Sequence, residues 1–398
     1  MIGQLDDTAV PNGYAVTEEG EHTLVVTATD HAGRTKDTRV TFTIDRTAPA
    51  ITINNPADGG MYNFAQTFDF DVADADPFVA VTSDPAKGHT WSDEGAYTAS
   101  VDAKDRADNA SAKSVGFMID LTAPETDAQV VSGTLGANGW WRSAVTVELT
   151  ASDPEGGEVS SGVNETWYSL DGGATWNKGT SVLISIEGVH EIAYYSIDKA
   201  RNREATRTFG VKVDTSMPSA EIVLSGAPGA SGSGWFVSDV TVAALVTDVV
   251  SGPAGWQYRL GDDDPWTDYT GSLVLPHGTW NLQVRPIDIA GNIGGVVTQT
   301  VRVDTRAPVT TCTPDRVPDH NGWYTDPVTL TLGPSDSGSG VAATLYSFDG
   351  IVWAEYTVPL TISAAGPTSV WYCSVDAAGN REAAGDPYSV KLDLADPE

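Results

Sequence analysis

The chain has 398 residues, with 22 Lys and Arg against 54 Asp and Glu, and a formal net charge of −32 at pH 7. This balance excludes a nucleic-acid binder, because phosphate neutralisation needs clustered basic residues. The apolar content of 40%, with 12 Trp and 13 Tyr, is enough to build packed cores. The sequence has no apolar run of about 18 residues, so we expect no membrane insertion.

The half repeat at 1–45 comes first. Its segments 24–28 and 40–44 alternate like the last two strands of a β-sandwich. A hairpin alone is marginal in water, so we expect it to be poorly supported unless residues 2–16 cover it. Residues 1–7 lack the basic and apolar regions of a signal peptide. We therefore expect the chain to be part of a longer polypeptide, with the signal peptide outside this sequence.

Two short motifs then recur along the chain. A pentapeptide related to Asp-Ala-Ala-Gly-Asn occupies 30–34, 105–109, 198–202, 288–292 and 376–380. Each copy precedes a strand-like run that leads into an Asp-to-Pro linker, at 45–49, 120–124, 214–218, 304–308 and 393–397. The repetition predicts a first repeat at 46–120, a second at 121–214, a third at 215–304 and a fourth at 305–398.

The last three repeats share further elements. A Gly followed by two aromatics stands at 139–141, 234–236 and 322–324, and alternating apolar runs follow at 145–149, 240–244 and 328–332. Turn motifs come next, at 168–173, 258–262 and 346–350. About seven short strands with frequent turns are typical of an immunoglobulin-like sandwich. We predict an all-β fold of tandem immunoglobulin-like sandwiches in an elongated array.

These motifs also carry a family resemblance. Gly-Trp-Trp at 139–141, Tyr-Ser-Leu-Asp-Gly-Gly at 168–173 and Asp-Ala-Ala-Gly-Asn at 376–380 resemble the bacterial Ig-like repeats named after a leptospiral surface protein. The first repeat has Gly-Met-Tyr at 60–62 instead, and it is more similar to generic bacterial Ig-like modules, as is the half repeat. The resemblance implies an extracellular or cell-surface array, often a spacer in adhesins or large secreted enzymes.

Repeated carboxylates are the strongest candidate site. In an immunoglobulin-like sandwich two loops of a domain lie beside the incoming linker, so three Asp and one Asn are expected to meet at each junction. Such oxygen ligands suit Ca²⁺. Asp and Asn also cap tight turns without any metal, and both interpretations are open. The candidate ligands are Asp45, Asp74, Asp105 and Asn109; Asp120, Asp153, Asp198 and Asn202; Asp214, Asp248, Asp288 and Asn292; and Asp304, Asp336, Asp376 and Asn380.

Cys312 and Cys373 are the only two cysteines, and both lie in the fourth repeat. They fall on the predicted first and sixth strands. An even count in a chain expected outside the cell favours a disulfide between them. The alternative is two buried thiols. A zinc site is disfavoured, because no paired His is near.

Recurring tryptophans have two interpretations, core packing and a sugar-binding face. Packing is favoured because they recur at fixed positions, namely Trp140, Trp141, Trp235, Trp323, Trp353 and Trp371. The sequence has no catalytic motif, so no enzymatic activity is expected. We expect a non-enzymatic extracellular or surface stalk or adhesin-type spacer that meets an unknown glycan or protein. The alternative is a carbohydrate-binding accessory region of a secreted glycan-active enzyme.

Overall fold

The computed structural model describes residues 1–155 and 159–395. In this part of the chain the regular structure is entirely β, and no helix is long and apolar enough to cross a membrane. The all-β prediction is confirmed. Asp396 and Pro397 of the last predicted linker, and residue 398 of the fourth repeat, lie outside the described residues.

The chain forms two compact units. One contains Met1–Val131, Thr146–Leu183 and His190–Gly210, and the other contains Ser132–Val145, Ile184–Val189 and the chain from Val211 onward. This division runs through the second repeat. The repeat boundaries at 45, 120, 214 and 304 therefore stay a prediction.

The half repeat forms one sheet. Its strands are β1 (Ile2–Leu5), β2 (Thr8–Val10), β3 (Gly20–Thr29) and β4 (Thr35–Ile44), in the order β2-β1-β3-β4. β1 and β2 thus extend the hairpin sideways, and residues 11–14 with Val16 line one side of its apolar face. A groove of about 600 Å³ stays open on the apolar face, lined by Leu24, Val26 and Phe42 among others.

The first repeat consists of eight strands. They are β5 (Ala50–Asn55), β6 (Gly60–Tyr62), β7 (Gln66–Thr67), β8 (Asp69–Ala73), β9 (Ala80–Asp84), β10 (Thr90–Trp91), β11 (Gly95–Lys104) and β12 (Ala110–Ile119). The main sheet has the order β6-β12-β11-β9, and β5-β8 and β10-β7 form pairs. Phe68, Phe70, Val101 and Val115 are buried together in its core.

The second repeat also has eight strands. They are β13 (Glu125–Ser132), β14 (Trp140–Trp141), β15 (Val145–Ser152), β16 (Val163–Ser169), β17 (Asn177–Lys178), β18 (Ser181–Ile184), β19 (Gly188–Asp198) and β20 (Arg207–Val213). However, β15 is continuous where the first repeat has β7 and β8, and β17 is an additional short strand. β16 pairs antiparallel with β19, and β14 pairs parallel with β20. Val145, Val147 and Leu149 are buried, as the alternation of that strand predicts.

The third repeat is a two-layer sandwich. Its strands are β21 (Ser219–Ser225), β22 (Val240–Thr247), β23 (Pro253–Arg259), β24 (Thr267–Asp268), β25 (Val274–Leu275), β26 (Gly278–Asp288) and β27 (Val297–Val303). The sheets have the orders β21-β22-β25 and β24-β23-β26-β27. Val240, Val242, Trp256 and Leu282 belong to one buried cluster of this repeat.

The fourth repeat has the same plan. Its strands are β28 (Val309–Pro314), β29 (Val328–Ser335), β30 (Val341–Ser347), β31 (Ala354–Glu355), β32 (Leu360–Ile362), β33 (Gly366–Asp376) and β34 (Tyr388–Leu392). The sheets have the orders β28-β29-β32 and β31-β30-β33-β34. Tyr324, Val328, Leu330 and Val370 are buried in its core. Antiparallel sheets packed in this way make tandem immunoglobulin-like sandwiches.

The structure has Cys312 and Cys373 as free thiols, in place of the predicted disulfide. Ser374 of β33 hydrogen-bonds Thr310 of β28, so Ser374 faces that strand. Successive side chains of a strand point to opposite faces, and Cys373 therefore points away from β28. It accepts a hydrogen bond from Arg381, while burial raises the pKa of Cys312 to about 11.

Candidate metal centre

Four groups of three aspartates come together as the sequence predicts. In each group one carboxylate oxygen from every Asp lies within 4.8 Å of the others. The groups are Asp45, Asp74 and Asp105; Asp120, Asp153 and Asp198; Asp214, Asp248 and Asp288; and Asp304, Asp336 and Asp376. We call them sites 1 to 4 in chain order. Their recurrence shows that one backbone arrangement generates all four.

Strand ends position the three side chains, as site 2 illustrates. Asp120 follows the last strand of the first repeat, and Asp153 follows β15. Asp198 is the last residue of β19 and begins the turn that returns to Asn202. Each Asp therefore lies where a strand ends, beside backbone N–H groups that can donate hydrogen bonds to its carboxylate.

Most of these carboxylates are buried. In chain order, the three residues of a site are a linker Asp, a loop Asp and a turn Asp. In sites 2 to 4 the linker Asp and the turn Asp are at most 2% exposed. In the described part of the chain, Lys and Arg form no ion pair with these six residues, and His277 is a contact of Asp304 alone, with 3.3 Å between its Nδ1 and Asp304 Oδ1. Buried, clustered carboxylates without basic partners repel one another and lose hydration, so this arrangement favours a bound cation.

The four Asn residues orient the site. The Asn202 Nδ2 donates to Asp198 Oδ2 at 2.7 Å and to the carbonyl oxygen of Asp120 at 2.8 Å. Asn109, Asn292 and Asn380 make the same two contacts in their sites. In this arrangement the amide group ties the turn to the linker, and direct ligation by Asn stays a prediction.

Turn capping accounts for part of the hydrogen bonding. Asp198 Oδ1 accepts from the backbone N–H of Asn202 at 2.7 Å, which is an ordinary turn contact. Asp153 Oδ2 accepts from the backbone N–H of Gly162 and from the Ser160 hydroxyl. These bonds are what the metal-free interpretation predicts.

Turn capping does not account for three other oxygens. Asp74 Oδ2, Asp153 Oδ1 and Asp336 Oδ1 are buried and have no hydrogen-bond partner among the described residues. An unpaired buried acceptor costs about 1–3 kcal/mol, and more when it is charged. Each belongs to the loop Asp of its site. A cation at the centre of sites 1, 2 and 4 would satisfy the unpaired oxygen of each site.

The pKa shifts follow the same geometry. Burial raises the pKa of Asp198, and the charges of Asp120 and Asp153 raise it further, against hydrogen bonds from Asn202 that lower it. Burial also opposes ionisation of Asp304, but hydrogen bonds from Ser339 and Arg306 leave its pKa below the ordinary value. Hydrogen bonds therefore favour the ionised form of Asp304 in site 4 more than that of Asp198 in site 2.

One further position was missed in the sequence. The residue before the glycine that begins a long strand contacts the linker: it is Glu19, Glu94, Glu187 or His277 in the four sites. Glu94 Oε1 is buried without a hydrogen-bond partner among the described residues. Its pKa is raised by burial and by the neighbouring Asp120. The signal was present as a Glu-Gly pair at 19–20, 94–95 and 187–188.

The tryptophans are mostly packed. Of the twelve tryptophans, Trp140 and Trp256 are buried, nine are half-buried, and the side chain of Trp323 is 39% exposed. Trp176 packs against Tyr195, and Trp353 and Trp266 lie under arginine guanidinium groups. Within the described residues, the tryptophans therefore do not line up as an exposed strip.

Comparison with protein-family models finds no match, and comparison with curated proteins finds none either. Several solved structures are similar at low TM-score. A bacterial ice-binding adhesin described for host cell surface retention is 17% identical, with a TM-score of 0.31, covering 69% of this chain and 99% of its own. A tetra-tandem repeat from the extending region of a large adhesion protein is 13% identical, with a TM-score of 0.29, covering 95% and 96%. The fibronectin(III)-like modules of Clostridium thermocellum CbhA are 14% identical, with a TM-score of 0.26, covering 41% and 95%. At these TM-scores the likenesses do not bear on function, and the fold assignment rests on the sheet topology.

Proposed function

We propose that this chain is a non-enzymatic stalk or adhesin-type spacer, outside the cell or on a bacterial surface, whose repeats are joined at calcium sites. The observation that carries the proposal is the fourfold recurrence of a buried three-carboxylate group at the predicted repeat junctions. A catalytic site has no need to recur at every joint, whereas a structural ion does.

Calcium fits the donor set better than other common ions. Among the described residues, each group of three consists of carboxylates alone, although His277 contacts Asp304 beside site 4, and hard oxygen ligands suit Ca²⁺. Mg²⁺ demands near-ideal octahedral geometry and keeps several waters, which suits an enclosed protein site less well. Zn²⁺ favours nitrogen and sulfur ligands.

The ion would act by fixing the linker. In site 3 the linker Asp214, the loop Asp248 and the turn Asp288 lie on three separate segments of the chain. One ion held by all three removes their mutual repulsion and restricts how the linker can swing. The strongly acidic chain would stay soluble and repel its neighbours.

Thermal unfolding and small-angle scattering with calcium and with chelator test this proposal. Calcium should raise the melting temperature and narrow the range of chain dimensions. Mg²⁺ at the same ionic strength should change both quantities much less. No change in either quantity would contradict it. Buried and half-buried tryptophans give the carbohydrate-binding alternative no support.

A further inference from the structure

At two of the four junctions, a backbone hydrogen bond joins the neighbouring repeats directly, without the proposed ion. The backbone N–H of Ala137, in the loop before β14, donates to the carbonyl oxygen of Ala290 at 2.7 Å. The N–H of Ala230, in the corresponding loop of the third repeat, donates to the carbonyl oxygen of Ala378 at 2.6 Å. We call each of these backbone contacts, with the Gly before the donating Ala, a latch.

Each latch holds a turn that carries a site aspartate. Ala290 lies between Asp288 and Asn292 of site 3, and Ala378 lies between Asp376 and Asn380 of site 4. Both alanines are fully buried. At the first latch the Asn138 side chain also donates to the carbonyl oxygen of Ile289 at 2.9 Å, and Arg142 donates to that of Gly291.

Close backbone approach requires glycine in both latches. A Cβ at Gly229 would lie 2.6 Å from the carbonyl oxygen of Ala378, and one at Gly136 would lie still closer to that of Ala290. The fourth repeat has Asp319-His320 at the corresponding positions. The Gly-Ala pair therefore occurs in the two repeats that form a latch.

In the described part of the chain, site 1 has no such contact. Ala107, which corresponds to Ala290, is exposed. Among the described residues, no hydrogen bond from the half repeat's sheet reaches the turn at 105–109. The loop of the first repeat, which would face the turn of site 2, is shorter, at 56–59 against 133–139, and its Asp58 accepts from Gly116 of the same repeat.

We propose that calcium controls the joints of this chain unequally. The joint at Asp45 depends on the ion, whereas the joints at Asp214 and Asp304 stay closed without it because the latches hold them. This inference rests on the proposed calcium sites. It makes the chain a spacer with an ion-dependent hinge at one site and ion-independent joints at two others.

Trypsin tests the proposal at two matched bonds. Arg46 and Arg306 are exposed and lie in linkers of similar sequence, one at an unlatched joint and one at a latched joint. Removing calcium should speed cleavage after Arg46 by about tenfold or more, and cleavage after Arg306 by less than about twofold. Mass spectrometry of the fragments separates the two rates.

Variants assign the protection to the latch. Gly229→Val should raise cleavage after Arg306 in chelator to the level seen at Arg46. Gly136→Val makes the same change at the other latch and should leave Arg306 protected. Ala230→Pro removes the donating N–H by a second route and should reproduce Gly229→Val. Melting curves in calcium check that each variant folds.

The outcomes separate the two proposals. If cleavage after neither arginine responds to calcium, the calcium proposal and this inference both fail. If Arg306 responds as strongly as Arg46 in the unaltered chain, calcium sites remain and the latch is overturned. Unchanged protection of Arg306 in Gly229→Val and Ala230→Pro would overturn it as well.

Discussion

Asp153 shows how a single carboxylate serves both the loop and the proposed ion. Its Oδ2 accepts from Gly162 and Ser160, which shapes the loop after β15. Its Oδ1 is buried and unpaired in the described structure. A substitution that keeps one oxygen acceptor can therefore test the roles of the two oxygens separately.

Asp153→Asn should weaken calcium binding at site 2 by about 10–100-fold, because a ligand charge is lost while the amide oxygen still accepts from Gly162. The calcium-free protein should melt at the same temperature or higher, since a buried charge is removed. Calorimetric titration measures the affinity. Asp127→Asn, at a side chain 97% exposed in the same repeat, is the matched control and should change neither quantity.

Asp171 gives a pH prediction away from the sites. Hydrogen bonds from the Thr175 side chain, the Thr175 backbone and Ser169 lower its pKa from 3.8 to about 2. Because the folded pKa is depressed, the stabilisation is present above pH 3.8 and is lost as the pH falls through about 2. Thr175→Val should raise the pKa of Asp171 towards 3.8 in an NMR titration.

Asp349 is the internal control for this titration. It occupies the corresponding turn, but backbone N–H groups of Val352 and Ile351 lower its pKa, with a smaller part from Ser347. Its titration should not move in Thr175→Val. An unchanged Asp171 pKa in that variant would show that the threonine hydroxyl is not the cause.

At the scale of elements, a buried hydrogen-bond network around Glu204 joins strands of the second repeat. Glu204 accepts from the backbone N–H of Thr126 at 3.1 Å and of Ser196 at 2.7 Å. Glu382, Thr310 and Ser374 form the same group in the fourth repeat. In the third repeat the corresponding residues are Ala220, Pro286 and Gly294, so the polar group is replaced as a whole.

Glu204→Ala should destabilise the second repeat by about 1–3 kcal/mol, because it leaves buried donors of Thr126 and Ser196 unpaired. Denaturant unfolding measures the change. Glu191→Ala, at an exposed position of β19, is the control and should change stability by less than about 0.5 kcal/mol. A loss no larger than that of the control would mean that the network contributes little.

The elements also show what a sequence can predict. The alternation at 145–149 and the grouping of Asp120, Asp153 and Asp198 were predictable, because repetition fixes both the strand order and the strand ends. The disulfide prediction failed because it ignored which face of β33 carries Cys373. The latch could not be predicted, since Gly136 is constrained by a carbonyl oxygen about 150 residues away along the chain.

At the scale of the whole molecule, the charge and the sites are connected. Twelve aspartates belong to the four groups, and the chain has a formal net charge of −32. Four bound Ca²⁺ ions would neutralise part of this charge where it is most concentrated. The surface charge that remains would still keep neighbouring chains apart.

The number of calcium ions bound per chain is the most direct test of this account. Native mass spectrometry, or equilibrium dialysis at saturating calcium, should give four ions, one for each group. At a calcium concentration just sufficient to fill the unaltered chain, replacing Asp120, Asp214 or Asp304 by Asn should each remove one ion. A chain that binds none at millimolar calcium, or that binds the same number after these substitutions, would contradict the account.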